Sequence, residues 1–296
     1  MQRGSSGEEE ERIQLRGGGC GRGSGVEEEE RIQLRGGCGG ESERCDGKER
    51  IRRQWHRAAR GDDSRTRKSC RLVVPLPRCS EGPSAVTVHV TGFKKFHGVA
   101  ENPTEKIVGN LKSFMEKRGL PKGLVLGNCT ILEAAGQSAL GPLYEFLEST
   151  IVDKEHGSLN QQVILLHFGA NSGSPMFAIE NQAFNEATFC CPDELGWKPQ
   201  RVPILSSEGN ISQKRQTTLP VKEITMSLRR TGYDVMLSDN AGRFVCNYVY
   251  YHSLRFAEKH NIKSLFVHFP LFEAIDEEVQ MHFVASLLEA LTSLNL

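Results

Sequence analysis

From Ser84 onward, short apolar runs alternate with longer amphipathic stretches. Residues 86–90 form a β-branched run ending in Thr91-Gly92, which predicts a strand and then a loop. Asn102-Pro103-Thr104-Glu105 predicts a helix start, because Asn is a good N-cap, Pro suits the first helical position and Glu105 can reach back to the cap. That helix is expected to run to Arg118 and close at Gly119. A strand over 124–132 and a helix over 140–151 follow. The apolar run 163–168 ends at Gly169 and suits a buried strand. Beyond it the pattern predicts a helix over 221–230, a strand over 234–238, a helix over 243–260, a strand over 265–268 and a closing helix over 276–294. Strands alternating with helices predict an α/β fold: a single three-layer α/β/α domain over 84–296 with a mostly parallel mixed sheet. Such sheets bind ligands outside the carboxyl ends of their strands. That rule singles out the loop after Val90, the loop after Phe168 and the segment after Ser238.

Residues 1–83 have a different character. They hold glutamate runs, many arginines and glycines and few aliphatic residues, so they cannot bury enough apolar surface to offset the entropy of ordering them. A disordered low-complexity tail is expected. It contains one internal repeat: EEEERIQLRGG begins at Glu8 and again at Glu27, and two copies are too few for a solenoid. A basic stretch over 44–78 could serve as a nucleic-acid patch, but the formal net charge of zero argues against nucleic acid or a membrane surface as partner of the whole chain. Nine cysteines in no metal-type spacing fit a reducing intracellular compartment, and no apolar run is long enough to span a bilayer.

Cys246 falls just past a strand end, within the first turns of a helix. The positive end of a helix dipole favours thiolate there, and the competing reading is a small buried hydrophobe. His268 closes an apolar strand and precedes Pro270, where a parallel sheet presents reactive groups and a histidine can act as base near neutral pH. His167 is a rival by the same logic, with His89 and His97 weaker, and each has a core histidine as its structural alternative. Glu180 could orient His268 as the third member of a triad, although taken alone it reads as a solvated surface residue. The folded part has no glycine-rich phosphate loop, no HExxH and no paired CxxC, and Cys190-Cys191 is counted as structural.

At these residues the chain resembles pyroglutamyl-peptidase I, a cysteine omega-peptidase family. Ser238-Asp239-Asn240-Ala241-Gly242-Arg243-Phe244-Val245-Cys246-Asn247 resembles its nucleophile motif, continuing into Tyr250-Tyr251-His252-Ser253-Leu254. Phe266-Val267-His268-Phe269-Pro270 resembles its histidine segment, and Val90-Thr91-Gly92-Phe93 with Phe96 and Asn102-Pro103 its N-terminal signature. The resemblance implies a triad of Cys246, His268 and Glu180 that removes N-terminal pyroglutamate from peptides. It implies a substrate ring held by Phe93, Phe96, Phe244 and Val245, a cytosolic location, no metal and no cofactor, and it leaves a homo-oligomer open. Lys94 and Lys95 in the first loop, together with the altered region around Glu180, depart from the family and motivate a second reading, a catalytically silent binding or regulatory module.

Limited proteolysis should quickly leave a stable core starting near Ser84. A protected fragment containing the repeat at 8–37 would contradict the division at residue 83.

Overall fold

The computed structural model describes residues 85–96, 98, 99, 101–155 and 161–293. The expectations for residues 1–83 and for His97 lie outside them. Strand β1 (Ala85–Phe93) is followed by helix α1 (Pro103–Arg118), β2 (Leu124–Leu132), α2 (Leu140–Glu155) and β3 (Gln161–Ala170). Then come β4 (Phe177–Glu180), β5 (Gln182–Phe184), β6 (Lys214–Gln216), α3 (Val221–Arg230), β7 (Val235–Ser238), α4 (Val245–His260), β8 (Lys263–Phe269) and α5 (Glu277–Ser293). The main sheet has the order β2-β1-β3-β8-β4-β7. Its first four strands are mutually parallel; β4 runs antiparallel to β8 and parallel to β7. The sheet is therefore mixed and mostly parallel, as the pattern predicts.

Strand alternation divides the core between the two faces. Ile164, Leu166 and Phe168 of β3, with Leu265, Val267 and Phe269 of β8, pack with residues of α1, α3 and α5 such as Leu111, Ile224 and Phe283. Val163, Leu165 and Phe266 face the other way, toward α2 and α4, with Leu147, Tyr250 and Leu254. Each such side chain taken wholly out of water contributes about 1.5–3 kcal/mol. The helices thus cover both faces, giving three layers.

Several boundaries agree with the sequence pattern and some do not. Asn102 does cap α1, its side chain accepting from the Thr104 N–H, but Glu105 does not close back on the cap. Its carboxylate instead accepts from the Lys95 backbone N–H at 2.9 Å and so ties down the loop after β1. That strand runs three residues past Val90, to Phe93, because parallel pairing with β2 continues through Leu132. Gly92 is required there: a Cβ would lie 2.4 Å from the Thr104 carbonyl oxygen, where β1 meets the start of α1. No pattern announces β4, β5 and β6, which are only four, three and three residues long. No helix among the described residues is long and apolar enough to cross a membrane.

Candidate active site

A cleft of about 430 Å³ opens where the segments after β1, β3 and β7 converge on Glu180 of β4 and His268 of β8. All three places singled out by the carboxyl-end rule contribute to it, through Phe93 and Phe96, through Asn171 and Ser172, and through Asn240, Gly242 and Phe244. Cys246, His268 and Glu180 lie together in its wall.

Glu180 and His268 sit on neighbouring antiparallel strands, with Ala178 opposite His268 and Glu180 opposite Phe266. Ala178, Glu180, Phe266 and His268 face the α4 side, since Ile179 and Val267 belong to the opposite core. The diagonal between the strands brings His268 Nδ1 within 2.8 Å of Glu180 Oε1. Cys246 lies beside the same imidazole in the cleft wall. Glu180 is 2 % exposed and His268 7 % exposed, so the expectation of a solvated Glu180 is corrected. The short strand Phe177–Glu180 buries it. Burial works against a charged His268, but the charge and hydrogen bond of Cys246, followed by those of Glu180, outweigh it and raise its pKa to about 10.

The nucleophile segment is held by its own loop. Gly242 has φ +79°, a turn that L side chains rarely adopt, and Phe244 is extended immediately before α4. Cys246 is the second residue of that helix, and Phe244 supplies no side-chain cap, so the first-turn N–H groups are left for a ligand. Asn247, fully buried beside Cys246, accepts from the Phe184 N–H and donates to the carbonyls of Phe184 and Glu186, each at 2.9 Å. Arg243 donates to Glu186 at 3.0 Å and to Asn240 at 2.8 Å, with its guanidinium 3.9 Å from the centre of the Phe184 ring. Across the cleft, β3 must pass close to the sulfur. A Cβ at Gly169 would lie 2.8 Å from Cys246 Sγ and 2.7 Å from the Phe266 ring.

Phe93, Phe96, Phe244 and Val245 all line the cleft. Phe244 leans on Phe189, ring centres 4.5 Å apart, which holds that wall in place. The rival histidines are engaged elsewhere. His167 is fully buried between Thr91 Oγ1 at 2.7 Å and Ser253 Oγ at 2.6 Å, and burial pushes its pKa down to about 3, so it stays neutral. His89 is also buried and accepts from the Asn128 N–H at 3.1 Å. Lys94 pairs with Glu133, and neither Lys94 nor Lys95 lines the cleft. Cys190 and Cys191 are free thiols, their sulfurs 4.0 Å apart, and Cys190 is exposed. The sequence reasoning missed Asn247 and the Arg243–Glu186 pair. For Asn247 a signal existed: a polar side chain on the apolar face of a helix is normally kept for its hydrogen bonds. Among the described residues no three His, Cys, Asp or Glu side chains group as a metal site.

A buried carboxylate, an imidazole and a thiol in sequence, set at strand ends beside an uncapped helix start, define the class of α/β thiol hydrolases. The comparisons narrow the class. The pyroglutamyl peptidase family model matches residues 86–287, and the chain belongs to that family. Pyrrolidone-carboxylate peptidase from Vibrio vulnificus is 30% identical over 184 residues, 62% of this chain and 78% of its own. The Pyrococcus furiosus protein of the same name is 29% identical over 185 residues, 62% of this chain and 80% of its own. Among solved structures, a point mutant of the Pyrococcus furiosus pyrrolidone carboxyl peptidase superposes with TM-score 0.60 at 27% identity, covering 71% of this chain and all, 100%, of its own. The Fervidobacterium islandicum enzyme gives 0.59 at 26% identity, over 70% of this chain and 99% of its own.

Two measurements follow from the packing and charge of the site. Gly169→Ala should fold with a stability loss of about 1–3 kcal/mol, because strand and ring must shift to admit a methyl. It should lose most of its turnover, since the sulfur is the other atom in the way; wild-type turnover would show that Gly169 does not set the sulfur's position. The second measurement is thiol alkylation against pH. The charge on His268 persists until pH rises through about 10, so Cys246, beside that imidazole, should be alkylated ahead of Cys129 at neutral pH. Burial pushes the Cys129 thiol up to about 11, and its rate should climb about tenfold per pH unit below that value. Equal rates for both thiols at neutral pH would speak against the pairing of Cys246 with His268.

Proposed function

We propose that Cys246, His268 and Glu180 carry out the family's reaction in this chain, the removal of N-terminal pyroglutamate from peptides. The observation that carries the reading is the row Glu180–His268–Cys246 opening into an apolar, aromatic cleft. A pyroglutamyl group is a neutral lactam, and a slot walled by Phe93, Phe96, Phe244 and Val245 suits a flat ring that carries no charge. The thiolate of Cys246 attacks the pyroglutamyl carbonyl carbon, forming the S–C bond and moving the π pair onto oxygen. First-turn N–H groups of α4 stabilise that oxyanion. As the tetrahedral intermediate collapses, the C–N bond breaks and His268 gives its proton to the leaving amine. Water then attacks the thioester, His268 takes its proton, and free pyroglutamate leaves with Cys246 again as thiolate. Glu180 holds the Nδ1–H of His268 and balances its charge throughout.

Further support is the placement of the two lysines. They stand outside the cleft lining, so one of the features that motivated a silent binding module does not obstruct the slot. We place the protein in the cytosol, a location that the free thiols Cys129, Cys190, Cys191 and Cys246 support. We assign the activity to residues 84–296 alone.

Hydrolysis of a pyroglutamyl reporter amide by the purified chain tests the proposal. Cys246→Ala and His268→Ala should each remove nearly all turnover, since nucleophile and partner act as a unit. Glu180→Gln should keep the fold and leave a small residue of activity. Turnover should also fall on the alkaline side as pH rises through about 10, where His268 loses the proton it must donate. Unimpaired hydrolysis by Cys246→Ala would falsify the mechanism.

A further inference from the structure

We infer that the side-chain amide of Asn171 donates a hydrogen bond to the oxyanion of the tetrahedral intermediate, which makes Asn171 a further catalytic residue. The inference rests on the thiolate mechanism above and adds a second donor, independent of the α4 N-terminus.

The first support is the register of β3. Its residues alternate between the two cores: Ile164, Leu166 and Phe168 face one, Val163 and Leu165 the other. His167 follows on the α4 side, bonded to Ser253, and the Cβ direction of Gly169 meets Cys246 Sγ. Asn171 is the next position of that series. The ladder does not stop before it, since its N–H donates to the Phe269 carbonyl at 2.7 Å. Alternation therefore puts the Asn171 side chain on the face that carries the sulfur, about 6.6 Å further along the strand than Gly169. A carbonyl carbon bonded to the sulfur, with its oxygen pointing along the strand, fits within that interval.

The second support is the orientation of the amide. Asn171 Oδ1 accepts from the Gly173 N–H at 3.0 Å, which fixes which end of the amide is oxygen. The NH₂ group is thereby turned away from its own loop, in a residue that lines the cleft with Cys246 and His268. The other amides of the lining are less suited. Asn102 already donates to the Lys94 carbonyl at 2.9 Å, and Asn240 is exposed, its oxygen holding Arg243 and Gly242. Among the described residues no Lys or Arg lines the cleft, so a developing negative charge is met there by neutral donors. Asn171 is half-buried, and a donor shielded from water is worth more to that charge than an exposed one.

Steady-state kinetics on a pyroglutamyl reporter amide, with the rate of Cys246 alkylation measured beside it, test the assignment. Asn171→Ala should lower kcat by about 10²–10³-fold and leave KM within about threefold, the pattern of a contact made only in the transition state. Asn171→Asp, nearly identical in shape, should be impaired at least as much, because it sets a carboxylate against the oxyanion. Both variants should bind a pyroglutamyl aldehyde, whose adduct with the thiol carries the same oxygen, more weakly in proportion to the loss of kcat/KM. Alkylation of Cys246 should be unchanged. An unaltered kcat in both variants overturns the inference, and so does a loss confined to KM, which would make Asn171 a ground-state contact. A parallel fall in alkylation overturns it too, because the damage would then lie in the nucleophile. Failure of the thiolate mechanism itself would appear elsewhere, as hydrolysis surviving Cys246→Ala in an otherwise wild-type chain.

Discussion

His268 and Glu180 are paired at 2.8 Å in a part of the sheet that water barely reaches. Burying a charged imidazole or a carboxylate alone is prohibitive, and even as a pair the two repay desolvation only with good geometry. The Cys246 side chain adds to this, since its charge is the largest influence favouring the protonated imidazole. Glu180 and Cys246 flank the imidazole on two sides, and both favour its protonated form. Deleting one member of such a buried set typically costs about 3–5 kcal/mol, because it strands the others.

That constraint explains otherwise odd features of the fold. Glu180 must reach His268 from an adjacent strand, and β4 provides it by running antiparallel to β8 beside four parallel strands. Four residues form a weak strand, and the surroundings hold its end: the Tyr250 hydroxyl donates to the Glu180 carbonyl at 2.9 Å, and Asn181 donates to Asp239 at 2.7 Å. The same tie fixes the loop that leads to Cys246. Asn247 and the Arg243–Glu186 pair bind the start of α4 to the chain just after β5. The segment following Glu180 thus positions the segment carrying the sulfur, and one short stretch sets two members of the site.

Much of this could be read from the residues before any coordinates. Helix α1 with its Asn102 cap, strand β2 and helix α3 have the bounds that capping and periodicity predict. Cys246 and His268 stand out because each follows an apolar run at a place where α/β sheets present ligands. What could not be read depends on partners distant in sequence. Glu180 looks solvated until β7, β8 and Tyr250 close around it, and no local pattern contains those neighbours. Likewise Glu105 has the spacing of a capping box, yet Lys95 offers it an N–H that no helix-start rule considers. Strands β4, β5 and β6 are selected by what they pair with rather than by propensity.

Under the proposed function, the cleft selects its substrate as much by what it refuses to solvate as by what it contacts. An ordinary peptide N-terminus carries an ammonium group, and an N-terminal glutamate adds a carboxylate. Cyclisation to the lactam removes both charges at once. Transfer of either charge from water to a wall of Phe93, Phe244 and Val245 would be poorly compensated, since Glu180 is paired with His268 and, among the described residues, no Lys or Arg lines the cleft. The closed ring loses little on entering, and its amide keeps polar edges for the backbone and for groups such as Asn102 at the cleft margin. Rejection by desolvation asks for no dedicated repulsive group, and it keeps the surroundings of the Cys246–His268 pair dry. The same low polarity that disfavours charged N-termini therefore strengthens the electrostatics of the Glu180–His268 pair.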